Sequence, residues 1–202
     1  MGALRSLNDP LEQRMKIHTP AATALISVML WAGAAQADDR VPKIVAFNGA
    51  IGSQPFASVG GVAAPNDVLG IAPGGRPWEL LKLKASVDVN GMLQLRAKGL
   101  LLGGGNDIGR PAIPRNVHAT LFCNEGGVNN AWNSAAAEVD AQGNFTLAGA
   151  LVPVAPNVGG IPPNPCNLPI LLIRNSAAAT APGGLPVPGA WFAAGIVDVG
   201  DD

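Results

Sequence analysis

Val117-His118-Ala119-Thr120-Leu121-Phe122-Cys123 alternates without a break and ends in one of the chain's two cysteines. A two-residue period places Val117, Ala119, Leu121 and Cys123 on one face and His118, Thr120 and Phe122 on the other. The apolar residues do not recur at three and four, so the stretch predicts a half-buried β-strand and not a helix. Cys166 stands just before Leu168-Pro169-Ile170-Leu171-Leu172-Ile173-Arg174. That run is almost continuously apolar and predicts a strand covered on both faces, with Pro169 tolerated only near its start. A Cys123–Cys166 bond would close a loop of roughly 43 residues and contribute about 4 kcal/mol in the chain-entropy model. The competing arrangement is two buried, reduced thiols.

The N-terminus weighs on that choice. Arg14, Met15 and Lys16 precede an apolar run from Ala21 to Ala34, followed by Ala35-Gln36-Ala37 and then Asp38-Asp39. A basic start, a short apolar middle and a small-x-small end describe a secretory leader, residues 1–37, with Met15 an alternative start. A membrane anchor would need about 20 apolar residues, longer than this run. Export to an oxidising compartment, periplasmic or extracellular and bacterial in character, favours the disulfide. No second apolar span follows, so no transmembrane segment is expected in the mature chain.

Without the leader, ten basic and twelve acidic residues remain. Neither their balance nor their spacing offers the focused positive face that nucleic acid requires. Gly 26 and Pro 18 disfavour long helices and favour short strands joined by loops, and Tyr is absent. Residues 38–77 read as a first strand (41–47) and a Gly/Pro-rich segment with short strands near 58–62 and 68–71. Residues 78–202 read as the main domain. Its clearest signal is a hairpin: Leu81, Leu83, Ala85, Val87 and Val89 alternate with polar residues. Then, after Asn90-Gly91, Leu93, Leu95 and Ala97 do the same. The charged face of that hairpin reads as solvated sheet surface. A second hairpin is expected from about 134 to 151, turning at Asp140–Gly143. A proline-rich crossover follows (152–165), then a Pro/Gly loop (182–189), then a last strand (190–199). Together these predict an all-β fold, a two-sheet antiparallel β-sandwich of about eight strands with one disulfide.

The segments 117–123, Gly143-Asn144-Phe145, Pro165-Cys166-Asn167-Leu168-Pro169 and Gly189-Ala190-Trp191-Phe192-Ala193-Ala194 resemble a pattern in small secreted bacterial proteins of unknown function. The resemblance covers roughly residues 78–196 and implies an immunoglobulin-like sandwich with one disulfide. A more distant likeness is to CHRD domains, also extracellular sandwiches, which tend to carry paired histidines where this chain has His118 alone.

Candidate chemistry is sparse. His118 is the only histidine after the leader. A triad would need a nucleophile and an orienting carboxylate, for which Glu125 and Asp140 are the candidates. One histidine and two bonded cysteines make no metal set, and no cofactor is implied. Gly103-Gly104-Gly105-Asn106-Asp107 lacks the helix of a dinucleotide loop and the repetition of a calcium-binding array. Asn144-Phe145-Thr146 matches a glycosylation acceptor by chance. Trp78 and Trp132 are candidate ligand-site residues, although scattered tryptophans ordinarily pack in a core. The expected role is a non-enzymatic envelope, adhesion or protein-interaction module. Its partner would be a protein or envelope component. A small-molecule or metal-ion binder comes second, and an extracytoplasmic hydrolase using His118 third.

Overall fold

The computed structural model describes residues 41–113, 115–156, 159–177 and 187–200. They belong to one compact unit, Asp39–Asp202, and contain no helix. The expected leader, residues 1–37, lies outside the described residues, as does most of the expected 182–189 loop. In chain order the strands are β1 (Lys43–Gly52), β2 (Phe56–Val59), β3 (Val62–Pro65), β4 (Trp78–Asp88), β5 (Met92–Leu102) and β6 (Asn116–Glu125). They continue with β7 (Val128–Asn133), β8 (Ala137–Glu138), β9 (Phe145–Ala150), β10 (Val152–Pro153), β11 (Ile170–Ala177) and β12 (Val187–Val197).

Ten of these strands form one antiparallel sheet with the path β10-β7-β6-β11-β12-β1-β4-β5-β9, and β8 pairs with β6 beside β7. This pairing does not give the two separate layers of an eight-stranded sandwich. The reason lies in residues 145–153, which change partners midway. Phe145 to Ala150 pair with β5, and the next residues, Val152 and Pro153, pair with Trp132 and Asn133 of β7. One short stretch therefore joins the two ends of the path, and the sheet nearly closes on itself. Closure removes the exposed edges that an open sheet must protect. β2 and β3 stand apart as a two-stranded hairpin turning at Gly60 and Gly61, both at positive φ.

The hairpin expected between 134 and 151 is present only as its turn. Asp140 N–H donates to the Asn144 carbonyl at 2.9 Å, and Gly143 N–H donates back to Asp140 at 3.0 Å. Beyond the turn the arms part: β8 joins β6 and β9 joins β5. Each arm finds a longer partner than the other could offer, since β8 has only two residues.

The β4–β5 hairpin forms as the alternation predicts, with one difference. Register is constant from Trp78↔Leu102 to Val87↔Leu93, yet the buried face switches halfway. Leu83, Ala85 and Val87 face inward with Leu93, Leu95 and Ala97, whereas nearer the other end the inward residues are Trp78, Leu80, Leu100 and Leu102. The switch sits at Leu81 and Gly99, and it turns Leu81, expected in the core, out to solvent. Gly99 permits this because its φ is +70°, and a Cβ there would stand 2.7 Å from the Leu81 side chain. The turn also differs in kind. Gly91 alone has positive φ, and its N–H donates to the Asp88 carbonyl. The Asp88 carboxylate accepts from the N–H groups of Asn90 and Met92. A three-residue loop held by Asp88 replaces the two-residue turn that Asn90-Gly91 suggests.

The interior of the curled sheet holds Phe47, Leu83, Leu95, Val117, Leu121, Leu171, Ile173 and Phe192, with Cys123 and Cys166 among them. The two cysteines are bonded, their Cα atoms 5.0 Å apart and 43 residues apart in sequence. β6 is covered on both faces and not half-buried, because Phe122 packs in a second cluster with Leu172 and Trp191, where Val68 and Ile71 lie against it. Leu171, Leu172 and Ile173 are all fully buried, as their apolar run implies, but Leu168 lies outside the strand and is exposed.

Replacing both cysteines with serine, which avoids leaving a lone thiol, should lower the unfolding free energy in urea by about 4 kcal/mol. An unchanged midpoint would show that the cross-link restrains little in the unfolded chain. A second expectation concerns Gly52, where an added Cβ would collide with the Trp78 carbonyl. Main chain cannot swing aside, so Gly52→Ala should cost about 2 kcal/mol or more in the same measurement.

Candidate functional site

At one end of the curled sheet, two loops and four strands surround an open cleft of about 600 Å³. Trp78 of β4 and Phe192 of β12 form its aromatic wall, their ring centroids 4.2 Å apart and tilted by 36°. Residues 72–74 run beside β12: Trp191 N–H donates to the Ala72 carbonyl and Gly74 N–H to the Trp191 carbonyl. Gly74 is required there, since a Cβ would press into the Trp78 ring and stand 3.0 Å from Phe192. The other lip is the 103–112 loop. It is tied to β5 by the Leu102 N–H donating to Arg110 and the Gly109 N–H donating to Leu102, and to residue 77 by the Gly103 N–H.

Three arginines line this cleft against one acid, Asp107, so its side chains sum to a net positive charge of two. Asp107 is engaged by Arg76 at 2.9 Å in an exposed ion pair that joins the two lips; such pairs contribute at most about 1 kcal/mol. Arg110 adds a second cation. Arg115 is the residue held most firmly. Its guanidinium lies 5.1 Å from the Trp78 centroid and 4.9 Å from that of Phe192. Nε donates to the Ala112 carbonyl and Nη1 to Asn175 Oδ1, each at 2.9 Å. Partial burial pulls its pKa down from the ordinary arginine value, but a guanidinium so lowered still stays charged at any working pH. Of its five N–H donors, two are used among the described residues. A planar cation stacked on aromatic faces with donors to spare is suited to a carboxylate.

No protein-family model matches the chain, and no curated protein or solved structure matches it either.

The residues singled out from sequence fall in different places. Trp78 lines the cleft, but Trp132 does not. It is buried in the core, its Nε1 donating to the Gly160 carbonyl at 3.0 Å. Glu125 ends β6 and accepts from Asn130 Nδ2 at 2.6 Å. Asp140 organises its own turn, accepting from the N–H groups of Gln142 and Asn144 and from Asn144 Nδ2. Those bonds, the Asn144 backbone first, hold its pKa below the usual aspartate value. Neither acid is hydrogen-bonded to His118.

His118 is fully buried in β6. Its Nε2 lies 3.4 Å from Thr120 Oγ1, a weak contact, and Nδ1 has no hydrogen-bond partner. Thr120 instead donates firmly to Asn133 Oδ1 at 2.7 Å. Arg174 stands opposite His118 on β11, with its Nε donating to the Gly189 carbonyl. Burial, with the Arg174 charge second, pushes the histidine pKa down to about 4. It is a neutral ring within the sheet, and its surroundings offer it no acid–base partner. Among the described residues no three His, Cys, Asp or Glu side chains come together as a metal-binding group.

Arg76, Arg110 and Arg115 were not legible as a set, being spread along the chain and joined by Asn175 and Phe192 from still further on. One signal was present: Gly-Arg-Pro occurs at 75–77 and again at 109–111. Each places an arginine in a stiffened, extended loop, since proline biases the preceding residue away from helical angles.

The buried histidine has a measurable consequence. Its pKa in the fold lies below the ordinary 6.5, so the unfolded chain takes up the proton first as pH falls. Stability from this group is complete above about pH 6.5 and declines toward pH 4, by up to about 1.4 kcal/mol per pH unit. His118→Leu should flatten the pH dependence of the urea midpoint across that window. A slope equal to the parent's would show that other groups set it.

Proposed function

We propose that the chain is an exported, non-enzymatic binding module whose end cleft takes a small organic anion, a carboxylate carried on an apolar or aromatic body. The observation that carries this reading is Arg115, stacked over Trp78 and Phe192 in a net positive cleft with donors left over. Arg110 provides a second cation, and Asn175, already bonded to Arg115, fixes the fork in place. Pro111, Ala112 and Ala190, half-buried in the lining, offer contact to the ligand's apolar part, while Trp78 and Phe192 lie buried beneath Arg115. The side chains lining the cleft include no nucleophile beside a base, so recognition and not turnover is what they are suited to.

A protein-interaction role is the second reading. The β2–β3 hairpin favours it, because Phe56, Val59 and Val62 are all exposed there in a stretch without charge from 48 to 66. Exposed apolar residues grouped on one projection mark contact surfaces more often than isolated ones do.

Titration calorimetry with 3-phenylpropionate, and with its neutral amide as control, tests the first reading. The acid should bind and the amide should bind much more weakly. Arg115→Met should raise Kd by roughly tenfold to a hundredfold, the loss expected for a hydrogen bond to a charged group. Arg115→Lys, which keeps the charge and loses the planar fork, should fall between. Equal binding of acid and amide would overturn the assignment.

A further inference from the structure

We propose that the outer face of the β4–β5 hairpin, with the adjoining parts of β1 and β12, is a docking surface for an anionic lipid bilayer. This face is separate from the end cleft. Register places Lys82 directly opposite Lys98 and Lys84 directly opposite Arg96, and all four side chains are exposed. Strands in a sheet lie about 5 Å apart, so two like-charged pairs are stacked in a compact square. Like charges directly opposite one another destabilise a sheet. None of the four has a hydrogen bond or ion pair with another described residue. Lys43 of β1 adds a fifth cation, sharing a depression with Lys84 and Arg96.

Acidic groups also reach this face. Asp198 lines the same depression as Lys43, Lys84 and Arg96, and its Oδ1 accepts from the Gly200 N–H. Asp140 lines another beside Arg96 and Lys98, with its carboxylate already occupied by its own turn. Asp88 is occupied by the hairpin turn. Glu79 lies on the same strand opposite Leu101, beyond Leu81. None of these carboxylates is ion-paired with the four cations, so the centre of the face keeps a net positive charge.

That centre is also apolar. A groove of about 420 Å³ runs between the cations, lined by Asn48, Gly49, Leu81 and the lysine stems. Leu81 is 67 % exposed and Ile51 63 % exposed. Ile196 of β12 flanks Gly49, its Cδ1 3.3 Å from where a Cβ would stand. The face switch at Leu81 and Gly99 is what delivers a leucine into the middle of the lysines. A soluble polyanion would gain nothing from an exposed leucine and isoleucine. A bilayer surface presents phosphate groups to the ammonium and guanidinium heads and an acyl boundary to the apolar side chains between them. Long cationic stems lie along apolar surface while their heads reach the charged layer. Charge and apolarity interleaved on one sheet face thus select the lipid interface over a purely ionic partner.

Flotation of the full chain with vesicles tests this. Vesicles of phosphatidylcholine containing one-third phosphatidylglycerol should carry the protein at low salt, and pure phosphatidylcholine should carry far less. Lys82→Gln, Lys84→Gln, Arg96→Gln and Lys98→Gln together should lower partitioning by roughly several hundredfold, because each cation at such a surface contributes about fivefold. Leu81→Ser, an exposed position that should leave folding intact, should weaken binding severalfold without altering the salt dependence. Any contribution of the apolar run at 21–34 is common to parent and variants, so the difference between them reads the face alone. Arg115→Met should float like the parent, which separates failure here from failure of the cleft. Equal flotation of the parent and the four-charge variant would overturn the proposal. So would full displacement from vesicles by polyglutamate at matched charge together with indifference to Leu81→Ser, since both would point to a polymer.

Discussion

A β-strand leaves one row of N–H and C=O groups open on each side, and in a sheet the outermost rows must still be paired or shielded. Here that constraint is met by residues 145–153, which bond to β5 over their first part and to β7 over their last. The other features depend on this sharing. Because the sheet curls, one face of nearly every strand meets a common interior, and Phe47, Leu95, Leu121 and Leu171 from different strands can share one core. Because the curl has an open end, the core must be capped there by side chains of its own strands. Trp78 and Phe192 stack on each other, and Arg115 lies over both.

Curling also explains how charge is distributed. Residues on the convex side diverge from one another, which tolerates bulky cationic neighbours better than a flat sheet would, although it does not remove their repulsion. The same geometry turns the second face of β6 and β11 into a place that must be covered. Residues 66–73 cover part of it, with Val68 and Ile71 packed on the Phe122, Leu172 and Trp191 cluster and Trp191 Nε1 donating to the Asn66 carbonyl. The segment expected to hold a short strand at 68–71 is thus an outer layer, its pairing reduced to a single antiparallel bridge between Val68 and Ile71.

Much of the fold was legible, and the misses have causes. Alternation in 78–102 and 117–123 identified the strands because a two-residue period is a local property. The disulfide followed from two cysteines and an N-terminus of secretory form. Partner choice was not legible. Nothing within 134–151 says that the arms flanking Asp140 bond to different strands, because that depends on how β5 and β6 are spaced. Leu81 was misplaced for a related reason. A constant period cannot register a face switch whose only mark is a glycine, Gly99, on the neighbouring strand. The site was less legible still. Trp78 was recognised as a candidate, but Arg115 acquires meaning only when Phe192 and Asn175, 60 or more positions away, are folded against it.

The covalent link has an effect that sets it apart from ordinary packing. Cys123 and Cys166 bracket β7, β8, β9 and β10, so the stretch that sews the sheet together belongs to a closed ring of backbone and sulfur. A single cut by a protease within that ring opens it without releasing either half. The severed ends remain held at their far sides by one bond, so damage that would split a linear chain leaves this one a single molecule until a reductant arrives.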